Sequence, residues 1–197
     1  MKDTGPHPHC ETTIMKPFPV HTINSAPEAA RPSLEALQNA FGMIPNIAGA
    51  MATSPVLIDC LVGLFGKVHG GSFTEDQVQI VLLTDAVVNA SQWAVAFHSA
   101  LALQQGIDRA DVDAIREGRL PSAPRLAALS ALARALIEKR GHLTQQEAGQ
   151  FLEAGFDNSH LLEVIGIVAA STITNYTATI TNPPLEEAFK PYTWAHH

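Results

Sequence analysis

The chain has 197 residues, of which 46% are apolar and only 16% charged, and a formal net charge of −7 at pH 7. This length suits one domain with a sizeable core, and a charged fraction below the ~25% usual for globular chains suggests surface buried between subunits. The acidic balance, with no Lys/Arg-rich cluster, argues against nucleic acid as a partner, and no run approaches the ~18 uninterrupted apolar residues of a membrane span.

Residues 1–25 read as an extended segment, with Pro6, Pro8, Pro17 and Pro19 and no sustained helical period. His7, His9 and Cys10 stand close together there, but three candidates in such a segment fall short of a closed metal site, so no metal is expected. The N-terminus lacks the charged-then-apolar pattern of a signal peptide, which gives the expectation of a soluble, cytoplasmic protein.

Residues 26–197 read as a single helical domain. Ser25 and Pro27 suit the start of a first helix running to Phe41, with Pro32 kinking it or restarting it at Ser33, and Gly42 ends it. Pro45 and Pro55 are first-turn prolines of a short helix and of a longer one over 56–68. Cys60, in that apolar run, reads as a small core residue.

After Gly70-Gly71, Thr74 and Gln77 have capping-box spacing, and Glu75 and Asp76 suit the positive end of the helix dipole. Val78 to Val87 leave only a narrow polar stripe, so this helix is expected in the core. Asn89-Ala90-Ser91 interrupts the apolar run, and a second helix follows from Ser91 to Gln105, stopped by Gly106. Further helices are expected from Asp108 to Glu117, Arg125 to Arg140, Thr144 to Ala154, and Asn158 or Ser159 to Ile180, where Pro183-Pro184 forbids continuation. No alternating strand pattern and no phosphate-binding glycine loop interrupts this series, so the fold class is all-α.

Ser91, Ala94 and His98 share one face of the second helix of the central pair. Two turns, ~10 Å, separate Ser91 from His98, too far for a serine nucleophile and its base, but close enough to line one pocket. A histidine suits proton transfer near neutral pH, although one on an apolar helix is also commonly a satisfied core residue. Trp93 is either pocket wall or core, and Ser91 either a pocket hydroxyl or a cap. His69, His142 and His160 read as surface or cap residues.

Asn89-Ala-Ser-Gln-Trp-Ala-Val-Ala-Phe-His98 after a helix and a short break resembles the core of the alkylhydroperoxidase D / carboxymuconolactone decarboxylase superfamily. Phe41-Gly-Met-Ile-Pro-Asn-Ile, Gly141-His-Leu-Thr, Asn175-Tyr and Asn182-Pro-Pro-Leu-Glu-Glu-Ala-Phe extend the resemblance over roughly residues 25–194. It implies an AhpD-like helical fold and a homo-oligomer, with Asn175 and Tyr176 in packing and subunit contact. Peroxidases of that family carry Cys-x-x-Cys-x-x-x-His preceded by a glutamate; carried over, the cysteines fall on Ser91 and Ala94, the glutamate on Gln79 and the histidine on His98. A serine and an alanine cannot run the thiol cycle, and an amide neither takes nor gives a proton at neutral pH.

Three readings follow. The first is a cofactor-free, decarboxylase-like enzyme acting on a small organic acid or lactone, with His98, Gln79 and Ser91 as catalytic residues, Trp93 and Ala94 shaping the substrate pocket, and Lys67 or an arginine holding a carboxylate. The second is a non-catalytic relative that binds a small molecule or serves assembly. A residual peroxidase using Cys60 or Cys10 is the weakest, because neither cysteine sits in the motif.

Overall fold

The structure, a computed structural model, describes residues 16–195, so His7, His9 and Cys10 lie outside it. The described residues form helices and no strand: α1 (Arg31–Phe41), α2 (Asn46–Met51), α3 (Pro55–Val68), α4 (Glu75–Val88), α5 (Gln92–Gln104), α6 (Arg109–Arg116), α7 (Pro124–Glu138), α8 (Gln145–Glu153) and α9 (Asn158–Thr181), with 3-10 turns at Glu28–Ala30 and Glu187–Tyr192. This is the expected all-α architecture.

Local chemistry sets most boundaries. Ser54 caps α3 by accepting from the Leu57 amide at 3.3 Å, and Thr144 caps α8 by accepting from the Glu147 amide at 3.2 Å. Gln77 closes the start of α4 by accepting from the Thr74 amide at 3.2 Å. The first helix differs from its expected form. Ser25 turns back on Thr22 rather than capping, and α1 begins at Arg31 with Pro32 in its first turn, where the missing N–H costs little. The last helix starts at Asn158, as expected, and is capped by Asp157, whose carboxylate accepts from the His160 amide at 2.9 Å.

Helix α4 lies at the centre, packed by α5, α7 and α9. Every residue from Val78 to Val87 is buried, because neighbours cover the helix on all sides. Two polar ties cross this core. Thr84 and Ser130 share a hydrogen bond of 2.8 Å between α4 and α7, and the buried Asp85 carboxylate accepts from Asn175 of α9 at 2.9 Å and from Asn89 at 2.8 Å. Burial pushes the Asp85 carboxyl up from 3.8 to about 6, with hydrogen bonds from Ser171, Asn175 and Asn89 opposing the rise.

Cys60 corrects an expectation: it is exposed. The buried stripe of α3 is Ile58, Leu61 and Val68, and its other flank, with Val56 at 75% exposure, faces outward. Among the described helices α9 alone is long and apolar enough to cross a membrane, although 44% of its most apolar window is buried.

Candidate functional site

The break between α4 and α5 decides what the two helices present to each other. Asn89 ends α4 and Ala90 adopts a left-handed φ of 52°, so the chain reverses within a few residues. Gln79, near the start of α4, thereby comes to face His98 in the middle of α5.

Both side chains are buried, and the His98 Nδ1 to Gln79 Oε1 distance is 3.1 Å. The Gln79 amide nitrogen in turn donates to Glu75 Oε1 at 2.8 Å, one helical turn earlier on α4. The other Glu75 oxygen, Oε2, lies 2.8 Å from Nδ1 of His69, the C-cap residue of α3. These three hydrogen bonds run from the core to the surface. Because Gln79 spends its N–H on the carboxylate, its carbonyl must accept from His98, which places the His98 proton on Nδ1 and leaves Nε2 unprotonated.

Burial holds His98 far below the usual histidine range, at about 3, and the neighbouring charge of His69 acts in the same direction. His98 is therefore a neutral imidazole at physiological pH.

A cavity of about 700 Å³ borders this chain of groups. His69, Glu75, Gln79 and His98 line it together with Gln104 and Gln105, and Phe41, Met43, Val62, Phe65, Phe97, Leu101 and Phe189 supply most of the rest. No lysine or arginine lines it, so neither Lys67 nor an arginine fills the carboxylate-holding role expected from sequence.

Ser91, Trp93 and Ala94 do not join His98 at this cavity. Ser91 and Trp93 border a separate cleft of about 820 Å³ beside Asn182, Pro183 and Pro184, while Ala94 is fully buried. The physical reason is the helical rise, which carries the start of α5 towards the end of α9, away from His98. Ser91 is the N-cap residue of α5, but its hydroxyl is buried without a hydrogen-bond partner. Trp93 donates to Glu186 Oε2 at 3.1 Å and stacks on Phe97 with ring centroids 4.9 Å apart.

Sequence reasoning missed Glu75 and His69 as site residues. Glu75 signals only a dipole partner when taken alone, yet the spacing of Glu75 and Gln79 already places them on one face. His69 carries no local signal, because its approach depends on the turn between α3 and α4.

No protein-family model matches the chain, and no curated protein sequence matches it. Among solved structures it is similar to an uncharacterized peroxidase-related protein from Ralstonia eutropha JMP134, described as an alkylhydroperoxidase AhpD core (TM-score 0.77, 16% identity, 89% of this chain and 96% of that one). It is also similar to a variant of the debrominase Bmp8 in complex with 2,3,4-tribromopyrrole (TM-score 0.76, 16% identity, 91% and 96%). A third likeness is to an uncharacterized peroxidase-related protein from Silicibacter sp. TM1040 (TM-score 0.69, 14% identity, 89% and 97%). With helices alone among its described residues, and these likenesses covering most of each chain, the protein has the AhpD-like all-α fold.

Proposed function

We propose that the cavity between α1, α3, α4 and α5 receives a small, neutral, largely apolar organic molecule and acts on it by proton transfer through the chain's own side chains. The observation that carries this reading is the hydrogen-bonded series His98–Gln79–Glu75–His69 set along one side of a cavity whose remaining lining is mostly apolar, with Gln104 and Gln105 as its other polar residues. Sites of this kind take most of their affinity from apolar walls and their orientation from a few polar groups. A neutral lactone or a heteroaromatic compound fits it better than an organic acid, since Glu75 repels a carboxylate and no cation lines the walls. The tribromopyrrole held by the debrominase of similar fold supports that ligand class.

A second reading is favoured by the His98 imidazole alone. A group held neutral at about 3 accepts and donates hydrogen bonds well but is a poor base near neutral pH, which suits a binding module. In either case His98, not Ser91, meets the ligand.

The test is NMR of the His98 ring during titration with 2,3,4-tribromopyrrole, dihydrocoumarin and benzoate. The two neutral compounds should move the His98 resonances and benzoate should not. Benzoate binding as tightly as the neutral pair, or a His98 signal unmoved by all three, would sink the proposal.

The proposed homo-oligomer has a candidate face in α9. Leu162, Gly166, Ala169, Ile173, Tyr176 and Ile180 lie on one side at alternating spacings of four and three. None of these six is fully buried, and no charged residue occurs between Val164 and Thr181.

A further inference from the structure

We propose that His69, held by Glu75, is the proton-transfer residue of this cavity and that His98 serves behind it as a neutral hydrogen-bonding arm. This rests on the cavity being a ligand site, as proposed above. The titratable side chains on the cavity are His69, Glu75 and His98. Of the two histidines, only His69 has a carboxylate directly on its ring, with Nδ1 2.8 Å from Glu75 Oε2. His98 has an amide instead.

A carboxylate on Nδ1 fixes the tautomer, leaves Nε2 to take a proton and stabilises the imidazolium that results. The ring is further held against Phe65, with centroids 5.1 Å apart, and the His69 backbone amide is fixed on the Phe65 carbonyl at 3.0 Å. His69 is partly exposed, with 29% of its side-chain surface open, so a proton taken from the cavity has a path to solvent. The nearest carboxylate from α9, Glu163, is already engaged by the Ser72 amide at 2.7 Å and by the Ser72 hydroxyl. The pair of His160 and Asp157, 2.7 Å apart, has the same chemistry, but its ring lies against Phe73 and Phe156 and borders none of the cavities described above. It provides an internal control.

The probe is 4-nitrophenyl acetate. Water gives a proton to Nε2 of His69 as its oxygen bonds to the carbonyl carbon. The bond to the aryl oxygen then breaks, releasing acetic acid and 4-nitrophenolate, and the His69 proton passes to solvent. General-base catalysis of this kind contributes roughly 100-fold or more in rate.

His69→Gln should lower kcat/KM at least tenfold. Glu75→Gln should lower kcat with little change in KM, because the imidazolium formed during turnover loses its counter-charge. His160→Gln should change nothing. Full turnover in His69→Gln, no turnover in the wild type, or an undiminished kcat in Glu75→Gln would each overturn the proposal. Competition separates it from the reading it rests on. If 2,3,4-tribromopyrrole does not compete with the ester but His69→Gln removes turnover, the ligand class falls and the histidine pair stands. If it competes while His69→Gln turns over normally, the pair falls and the cavity reading stands.

Discussion

Gln79 shows how a substitution changes meaning with its neighbours. Read along the chain, an amide where related peroxidases have a carboxylate is a loss. In the folded protein the carboxylate stands one turn earlier at Glu75, and Gln79 joins it to His98. Gln79→Leu should therefore cost about 1–3 kcal/mol, since it strands the buried His98 N–H. Denaturant unfolding checks the cost, and ¹⁵N shifts of the His98 ring should show its single tautomer replaced by a mixture.

Two buried groups make opposite contributions to the pH dependence of stability. Asp85 titrates at about 6 rather than 3.8, so between these values the folded chain holds a proton that the unfolded chain has released, and stability falls as pH rises. His98 titrates at about 3 rather than 6.5, so its contribution is present above 6.5 and is lost as pH falls. Each has a limiting slope of about 1.4 kcal/mol per pH unit, and in the wild type they largely cancel. Relative to wild type, Asp85→Asn should gain stability from about pH 4 to 6.5, and His98→Gln should lose it over the same range. Urea unfolding across that window tests both. The amide introduced by Asp85→Asn would be accommodated, since the buried Asn175 Oδ1 lacks a partner.

At the scale of elements, α2 is seated by a close approach of backbone to backbone. The His21 amide donates to the Gly49 carbonyl at 3.1 Å, and a Cβ on Gly49 would lie 2.7 Å from both the His21 carbonyl oxygen and a Val20 methyl. Gly49→Ala should cost about 1–3 kcal/mol, read as a lower denaturant midpoint with an unchanged slope. The glycine is required for contact here, not for an unusual φ.

At the scale of the whole molecule, the homo-oligomer proposed above would be built on the exposed side of α9. The helix has 24 residues, or ~36 Å, and its stripe reads the same in both directions. A second copy packed antiparallel about a two-fold axis sets Leu162 against Ile180, Gly166 against Tyr176 and Ala169 against Ile173, small beside large in the last two pairs. A Cβ at Gly166 would meet open space, which leaves room for the partner's tyrosine. Leu162 and Tyr176 are 66% and 58% exposed, a large apolar exposure for a monomer. Tyr176→Glu should shift the mass measured by light scattering from dimer to monomer without altering the circular dichroism of the helices. A monomeric wild type that binds phosphatidylcholine vesicles would assign this face to a bilayer instead.

The helices themselves were legible in the chain, because their signals are local: Ser54 and Thr144 cap with their own side chains, Gly42, Gly106, Gly141 and Gly155 adopt the left-handed φ that stops a helix, and period-3.6 apolar spacing marks which segments are buried. The unmatched boundary, at Ser25, is a place where Thr22 and Ser25 each accept from the other's backbone amide, so Ser25 is spent on a local turn and does not cap the helix. The identity of Gln79 and His98 as neighbours was also within reach, through the resemblance. Three things were decided only by tertiary structure: that Ser91 and Trp93 open on a different cleft from His98, that Cys60 faces outward, and that His69 meets Glu75. Each depends on which side of a helix its neighbours leave uncovered or on where a turn delivers its end, and such packing between segments distant in sequence leaves no trace in the spacing of residues within either one.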